Sequence, residues 1–207
     1  MSRPYARTYK RLFDIVATLL LVVVTAPILI PGLAVVLAWV SADGHPALYR
    51  QRRIGRNGRV FGMLKIRTMV PGAEQALALH LEADPEARRE WEQRQKLHND
   101  PRVTRLGRFL RRTSLDELPQ IWNVLRGDMS LVGPRPIMVD QVGLYPGRAY
   151  YTLRPGLTGL WQVSARNATG FAERAQYDDR YRGSLSLMGD LSILWRTLFV
   201  VLRGTGW

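Results

Sequence analysis

The chain has 207 residues and no cysteine, which excludes a disulfide framework or a thiolate metal site and suits a reducing compartment. The length predicts one compact domain with an appendage. The net charge of +13 requires an acidic partner, and a hydrophobic content of 46% at that charge is more typical of a basic protein on a membrane than of a nucleic-acid binder.

The first predicted element is an almost wholly apolar segment, residues 12–40, which follows a basic stretch. A bilayer-spanning helix needs about 20 apolar residues, so the segment is long enough to cross. Arginines stand on both flanks, and positive charge marks the cytoplasmic side, so both ends are predicted to lie there. Pro27 and Pro31 interrupt the helix near its middle. We therefore expect a re-entrant helix that dips into one leaflet, with a spanning helix as the alternative.

A β-hairpin is predicted next, because two strand-like runs, Leu48 to Arg53 and Arg59 to Arg67, flank the tight-turn signal Asn57-Gly58. The second run ends with Lys65 and Arg67, either of which is expected to face phosphate groups. A solvated basic strand is the alternative interpretation.

Two helical segments follow the hairpin. Residues 71–97 are polar and mixed in charge, with a break near Asp84-Pro85, so we predict a solvated helical pair and assign it no chemistry. Residues 103–112, VTRLGRFLRR, predict a short basic amphipathic helix that leads into the next stretch.

Residues 111–136 carry the strongest chemical signal, because two adjacent acids, Asp116 and Glu117, stand among basic residues. Ser114 precedes Glu117 by three residues and predicts a capping box, with both acids in the first turn of a helix over 115–126 that ends at Gly127. In the alternative interpretation, Glu117 only closes a helix cap and Asp116 only marks the helix start.

Arg111, Arg112 and Arg135 surround these acids, and a helix N-terminus among arginines is a phosphate site. Carboxylates in such a site repel the ligand unless a divalent cation joins them or one of them attacks phosphorus. We therefore predict Mg²⁺-assisted phosphoryl transfer, with Asp116 as nucleophile and Glu117 helping to hold Mg²⁺. The roles of the two acids remain interchangeable, and the three arginines would neutralise phosphoryl charge.

The sequence SLDELPQIWNVLRGDMSLVGPRP resembles the signature of the bacterial sugar transferase family, the monotopic phosphoglycosyl transferases, and the similarity begins at Lys10-Arg11-Leu12-Phe13-Asp14. The resemblance implies a re-entrant helix broken at a Ser-Pro pair, which here is Ala26-Pro27. Thr25 or Thr18 would then replace the serine in bonding the carbonyls that proline frees. It also implies that Lys65-Ile66-Arg67-Thr68-Met69 matches the family motif Lys-Phe-Arg-Ser-Met and that Arg135 belongs to the nucleotide-phosphate site.

Three elements are predicted after this stretch. A turn-rich loop over 154–159 leads into a strand over 160–163, followed by Arg166 and Asn167, which would contact uracil or phosphate or else lie in a solvated loop. A helix over 171–182 carries acids for which salt bridges are favoured over a second metal site. Residues 185–202 predict an interfacial amphipathic helix with Trp195 at headgroup depth, in competition with a plain core helix.

Taken together, the sequence predicts an α/β fold that is mainly helical with a small sheet, in a membrane-associated monotopic protein. We divide it into a basic N-terminus and re-entrant helix (1–46), a cytoplasmic catalytic domain (47–184) and a C-terminal interfacial helix (185–207). The resemblance implies a location on the cytoplasmic face of the bacterial inner membrane. An anionic lipid surface is the expected partner and nucleic acid is not, while a homodimer is left open.

The resemblance also implies the reaction, in which a hexose-1-phosphate passes from a UDP-hexose to polyprenyl phosphate with release of UMP. This would be the first step of exopolysaccharide or glycoconjugate synthesis. The sugar is open among glucose, galactose and N-acetylated hexoses. The alternatives are a membrane glycosyltransferase that releases UDP, and a non-catalytic basic membrane adaptor or nucleic-acid binder.

Overall fold

A computed structural model describes residues 5–95, 97–164 and 170–203. These residues form a mainly helical fold with two small sheets, which confirms the predicted class. The helices are α1 (Lys10–Val40), α2 (Ala73–Ala83), α3 (Pro85–Arg94), α4 (Arg105–Thr113), α5 (Gln120–Arg126), α6 (Leu160–Ser164), α7 (Arg174–Gly183) and α8 (Leu187–Leu202). The strands are β1 (Leu48–Ile54), β2 (Val60–Ile66), β3 (Ser130–Val132) and β4 (Gly156–Thr158). The division into 1–46, 47–184 and 185–207 stays a prediction.

Helix α1 has 31 residues and continues through Pro27 and Pro31. Lys10–Asp43 is long and apolar enough to cross a membrane by length and composition, and its most apolar window is not buried in the protein. Large apolar side chains such as Val24 and Ile28 are 76% and 84% exposed, so the helix requires an apolar environment outside the protein. The re-entrant path and the break at Ala26-Pro27 stay predictions.

The predicted replacement of the family serine by a threonine is not what the structure shows. Thr25 Oγ1 donates to the Leu21 carbonyl at 2.7 Å, whereas the carbonyl that Pro27 frees is that of Val23, four residues before the proline. The Thr18 hydroxyl is buried and has no hydrogen-bond partner among the described residues.

The start of α1 is held by buried charges. Lys10 Nζ lies 3.0 Å from Asp14 Oδ1 and 2.9 Å from Asp190 Oδ2 in α8. Asp190 also accepts hydrogen bonds from the hydroxyls of Tyr5, at 2.6 Å, and Tyr181, at 2.7 Å. We call these five residues the N-terminal network. It fixes the entry of the apolar helix against the C-terminal helix.

The same end of α1 also contacts the two elements that follow Asp116 and Glu117 in the chain, α5 and β3. Asp14 Oδ1 accepts from Ser130 Oγ at 3.0 Å and from the Leu131 backbone N–H at 3.2 Å, both in β3. Arg11 donates to the carbonyls of Val124 and Leu125, at 2.6 and 2.7 Å, at the end of α5. Cations at a helix C-terminus satisfy carbonyls that lack an intrahelical partner, so α5 is fixed in position relative to α1.

The predicted hairpin is confirmed. Strands β1 and β2 pair antiparallel, and Asn57 and Gly58 take positive φ values of 59° and 75° at the turn between them. The register pairs Gln51 with Met63 and Arg53 with Phe61, so these side chains share one face of the hairpin. Lys65, two residues beyond Met63, lies on the same face.

The prediction for residues 154–163 is wrong, because a strand forms where the loop was predicted and a helix forms where the strand was predicted. Strand β4 lies at 156–158, parallel to β3, and residues 160–164 form helix α6. The pairing depends on glycines, since a Cβ at Gly156 would lie 2.1 Å from the Gly133 nitrogen, and one at Gly159 would lie 2.1 Å from the Gly133 oxygen. Only glycine permits this close approach of two backbones.

The remaining helices follow their predicted positions. Asp84 caps α3 by accepting from the Glu86 and Ala87 N–H groups at 2.9 and 3.0 Å, at the predicted break. Helix α8 buries Ile193 in the core and exposes large apolar side chains, with Trp195 at 63% exposure. Its placement at a membrane interface stays a prediction.

Candidate active site

Asp116 and Glu117 lie in a short 3₁₀ turn, Leu115–Glu117, between α4 and α5. The predicted capping box is wrong: Ser114 has a left-handed backbone, φ 58°, and ends α4, and its side chain makes no cap hydrogen bond. Helix α5 begins only at Gln120, because Pro119 has no N–H to donate and is tolerated only at the helix start. Gly127, with φ 94°, ends α5 as predicted.

The two acids share one ammonium group. Lys65 Nζ lies 3.1 Å from Glu117 Oε1 and 3.5 Å from Asp116 Oδ2. Asp116 is only 4% exposed, whereas the Glu117 side chain retains 22% exposure. Strand β2 therefore places a cation against both carboxylates, and the contact of Lys65 with phosphate groups stays a prediction.

Burial raises the pKa of Asp116 above its ordinary value of 3.8. The Lys65 and Arg111 charges oppose this shift and the Glu117 charge adds to it. A carboxylate that is poorly solvated and more basic than usual is a better nucleophile when ionised, because it loses less hydration on attack.

A small cavity, partly open to solvent, lies beside these acids and has Glu117 in its wall. The hairpin contributes Arg53, Met63 and Lys65 to its wall, and Glu117 and Gln120 come from the turn and from α5. The rest of the wall is formed by Arg135, Pro136, Gly156 and Leu157. Gln120 is 2% exposed, and its Nε2 has no partner among the residues described, so a buried donor lines the cavity without an acceptor.

Arg135 lies on a loop whose two flanking prolines both accept hydrogen bonds from neighbouring elements. The Gly156 N–H donates to the Pro134 carbonyl at 2.8 Å, and Arg53 Nη1 donates to the Pro136 carbonyl at 3.1 Å. Arg135 Nη1 lies 3.9 Å from Glu117 Oε1. The loop thus directs a second cation toward the acids.

The other predicted residues divide between this site and elsewhere. Arg111 donates to Thr68 Oγ1 at 2.9 Å and is near enough to Asp116 to affect its pKa, whereas Arg112 is exposed. Arg67 pairs with Asp43 at 2.6 Å and donates to the Val40 carbonyl at 2.7 Å, so it joins the hairpin to the end of α1 and does not reach the cavity. Arg166 and Asn167 lie outside the described residues.

Sequence reasoning missed Arg53 and Gln120. The register set by Asn57-Gly58 was a usable signal for Arg53, because it places that side chain on the Lys65 face of the hairpin. Gln120 follows Glu117 by three residues, the spacing of neighbours on one helical face, although the 3₁₀ turn and Pro119 obscured that pattern.

The residues present fit a magnesium site in which substrate phosphates supply some of the ligands. Mg²⁺ commonly takes one or two protein carboxylates and completes its shell with waters and phosphate oxygens. Asp116 and Glu117 are adjacent carboxylates beside a cavity lined by cations, which is that donor set. Within the described part of the chain, no group of three or more His, Cys, Asp or Glu residues forms a metal site from protein ligands alone.

Comparison with known proteins places the chain in a family. A family model described as bacterial sugar transferase matches residues 5–204. The chain is 45% identical to undecaprenyl-phosphate galactose phosphotransferase of Salmonella typhimurium over 210 residues, which cover 100% of this chain and 43% of that protein. It is 42% identical to the exopolysaccharide production protein ExoY of Rhizobium meliloti over 206 residues, covering 99% of this chain and 90% of that protein.

A third relative is UDP-glucose:undecaprenyl-phosphate glucose-1-phosphate transferase of Caulobacter vibrioides, 43% identical over 200 residues, which cover 91% of this chain and 68% of that protein. The chain thus spans less than half of the Salmonella relative and most of the Rhizobium one. Because the family model matches nearly the whole chain, the protein belongs to the bacterial sugar transferase family.

Proposed function

We propose that the protein transfers a hexose-1-phosphate from a UDP-hexose to polyprenyl phosphate and releases UMP. The observation that carries this proposal is the pair of adjacent acids beside a cavity lined by Arg53, Lys65 and Arg135. Carboxylates among phosphate-binding cations are the arrangement that nucleophilic attack on phosphorus requires. The names of the Salmonella and Caulobacter relatives, which carry out transfer to undecaprenyl phosphate, support the acceptor class.

The reaction has two displacement steps at one phosphorus atom. An Asp116 carboxylate oxygen attacks the phosphorus that carries the hexose, and the bond from that phosphorus to the bridging oxygen breaks, so that UMP leaves with the electron pair. An oxygen of polyprenyl phosphate then attacks the same phosphorus. The bond to Asp116 breaks, which restores the carboxylate and yields a polyprenyl diphosphate hexose.

The chain's other residues have supporting roles in this proposal. Lys65 and Arg111 neutralise charge on the attacked phosphoryl group, because both lie next to Asp116. Glu117 faces the cavity more openly than Asp116, so it holds the Lys65 and Arg135 cations and, with Asp116, would hold Mg²⁺. Bound Mg²⁺ would neutralise diphosphate charge.

The surface of the protein supports a membrane location for this reaction. The exposed apolar length of α1 and the exposed apolar residues of α8 both require an apolar environment. We propose the cytoplasmic face of the bacterial inner membrane as this location, because a soluble nucleotide sugar and a lipid phosphate would both reach the site there. The exopolysaccharide production named for the Rhizobium relative suggests that this transfer initiates a polysaccharide.

The test is nucleotide release. Purified protein is incubated with Mg²⁺, polyprenyl phosphate and a panel of UDP-sugars, beside Asp116→Asn and the exposed control Asp179→Asn. We expect UMP with at least one sugar, loss of that signal in Asp116→Asn, and full activity in Asp179→Asn. Release of UDP would instead make the protein a glycosyltransferase, and activity retained by Asp116→Asn would exclude Asp116 as nucleophile.

A further inference from the structure

The cation and the two acids of the candidate site come from separate parts of the chain. Lys65 lies in β2, whereas Asp116 and Glu117 lie in the 3₁₀ turn that precedes α5. Lys65 Nζ nevertheless lies 3.1 Å from Glu117 Oε1 and 3.5 Å from Asp116 Oδ2. Neither the hairpin nor the turn sets these distances by its own local geometry. The contact therefore depends on whatever fixes β2 against α5.

Asn123 of α5 is joined to β2 through both ends of its side-chain amide. Its Nδ2 donates to the Gly62 carbonyl at 2.9 Å, and its Oδ1 accepts from the Leu64 backbone N–H at 3.0 Å. These two backbone groups flank Met63 and lie on the edge of β2 away from β1, because the hairpin is a two-stranded sheet in the described part of the chain. An amide offers a donor and an acceptor side by side, as a neighbouring strand does. Asn123 thus takes the place of a third strand.

The burial of Asn123 makes this connection hard to replace. The residue is 1% exposed, so water cannot take over its hydrogen bonds when the amide is removed. The side chain also has a fixed direction, because Nδ2 lies 3.4 Å from Asp128 Oδ2. The backbone carbonyl of Asn123 accepts from the N–H groups of Gly127 and Met129, both at 3.1 Å. Asn123 is therefore held in one orientation by its own end of α5.

The acids and Asn123 belong to one hydrogen-bonded unit. Backbone hydrogen bonds of 3.1 to 3.3 Å run through residues 114–122, from the 3₁₀ turn into α5. On the strand side, Lys65 directly follows Leu64, whose N–H donates to Asn123. A short path of bonded groups thus connects the Lys65 backbone to the unit that carries the acids.

We propose that Asn123 is a positioning residue for the reaction at Asp116, because its amide holds β2 where Lys65 contacts both acids. This inference rests on the proposed function, in which Lys65 neutralises charge on the attacked phosphoryl group. Asn123 is not among the residues that line the cavity, so it acts through Lys65. A displacement of about 1 Å at a group that stabilises the transition state lowers a rate by about 100-fold.

The kinetic test measures UMP release by the full-length protein in detergent, with Mg²⁺, polyprenyl phosphate and a UDP-sugar that the wild type accepts. Asn123→Leu keeps the number of side-chain heavy atoms and removes both hydrogen bonds to β2. We expect its kcat to fall about 10- to 100-fold and its KM for the UDP-sugar to stay near the wild-type value. Asp190→Ala is the matched control, because it removes buried hydrogen bonds far from β2 and should keep the wild-type kcat per folded molecule.

A spectroscopic test follows the position of Lys65 directly. The chain has three lysines, Lys10, Lys65 and Lys96, so lysine labelled with ¹³C at Cε gives three signals, which Lys65→Arg and Lys96→Arg assign. In Asn123→Leu we expect the Lys65 signal to move and the Lys10 signal to stay. Asp190→Ala should do the reverse, because Lys10 Nζ lies 2.9 Å from Asp190 Oδ2.

The two lysine signals separate a positioning role from a general role in the fold. Movement of both signals in Asn123→Leu would overturn the inference, since Asn123 would then support the whole structure. If Asn123→Leu does not fold, Asn123→Ser repeats both measurements. Its hydroxyl can satisfy at most one of the two β2 groups at a time, so smaller changes in the same direction are expected.

The lysine signals need no substrate, which separates this inference from the proposed function. A wild-type protein that releases no UMP from any UDP-sugar would overturn the proposed reaction. A Lys65 signal that alone moves in Asn123→Leu would still support the positioning of Lys65 by Asn123. An unchanged Lys65 signal, with normal UMP release by Asn123→Leu, would overturn the inference and leave the reaction standing.

Discussion

Two buried groups of charges join distant parts of this chain, and they differ in how the charges are balanced. In the N-terminal network, one ammonium, Lys10, lies between two carboxylates, Asp14 and Asp190, so the acids exceed the cation. Hydrogen bonds from neighbouring hydroxyl and backbone N–H groups satisfy three of the four carboxylate oxygens, and Asp14 Oδ2 alone has no partner among the described residues. Around Asp116 and Glu117, cations from several elements exceed the acids, and a cavity lies beside them.

This difference distinguishes a site that holds the fold from one that holds a ligand. A buried polar network whose members bond one another rigidifies the structure and specifies one arrangement. A buried group with excess charge and donors without acceptors is stable only if other packing supports it, and it is where a ligand of opposite charge binds most strongly. The comparison predicts that mutations in the two groups will separate stability from activity.

The largest effect is expected from Asp116→Asn. The amide cannot form the acyl phosphate that the proposed mechanism requires, so UMP release should fall roughly a thousandfold or more. The melting temperature should hold or rise, because an acid whose burial opposes ionisation has been removed. Trapping of sugar-phosphate on the wild-type chain, located by peptide mass spectrometry, checks the attachment site; label on Glu117 would exchange the roles of the two acids.

The N-terminal network should show the opposite behaviour. Asp190→Ala leaves Lys10 with one carboxylate and removes the acceptor of the Tyr5 and Tyr181 hydroxyls, so the free energy of unfolding should fall by about 3–5 kcal/mol. Urea unfolding in detergent measures the change, with the exposed Asp179→Ala as the matched control. Activity per folded molecule should stay near that of the wild type. A large loss of turnover in a fully folded Asp190→Ala protein would contradict the assignment of this network to the fold.

A smaller effect is expected from a mutation at the backbone contact between β3 and β4. This contact supports both the N-terminal network and the group around Asp116 and Glu117. A Cβ at Gly133 would lie 2.3 Å from the Arg154 carbonyl oxygen, so Gly133→Ala should lower stability by about 2–4 kcal/mol and displace the loop that carries Arg135. Gly143→Ala is the control, because a Cβ there meets nothing within 4 Å. The melting temperature and the rate of UMP release should both fall for Gly133→Ala and stay at the wild-type values for Gly143→Ala. Equal values for the two variants would show that the loop accommodates a methyl group.

Local signals explain which parts of this fold were predictable. The Asn57-Gly58 turn, the break at Asp84-Pro85 and the end of α5 at Gly127 depend on residues next to one another, and the structure confirms all three. The capping box at Ser114 failed because Pro119 delays the helix and Ser114 itself ends the preceding one. Strand β4 was missed because its pairing depends on a close approach to Gly133, more than twenty residues earlier in the chain.

The distinction between local sequence signals and tertiary packing also holds for the candidate site. Asp116, Glu117, Lys65 and Arg135 were identified because each stands in a short, unusual motif, and the structure brings these side chains together. Arg53 stands in ordinary basic surroundings. Its place beside the cavity depends on the pairing of β1 with β2 and on its hydrogen bond to the Pro136 carbonyl, which joins the hairpin to the proline loop.

The smallest effect per pH unit is expected from Asp178, a buried carboxyl that accepts a hydrogen bond from the Tyr145 hydroxyl. Its pKa is about 7 in the folded protein against 3.8 for the ordinary group, and burial is the main cause. Between these values the folded state holds a proton that the unfolded state has lost, so stability falls as the pH rises from about 4 to 7, by at most about 1.4 kcal/mol per pH unit. Above this range both states are ionised and the contribution is constant.

The dependence is measured as the difference between wild type and Asp178→Asn in urea unfolding at a series of pH values from 4.5 to 7.5. Asp116 also has a raised pKa and contributes a slope of the same sign, but this slope cancels in the difference because both proteins contain Asp116. Asp179→Asn should retain the wild-type slope. A difference that does not change with pH would contradict the prediction, because it would mean that Asp178 is ionised in the folded protein over this range.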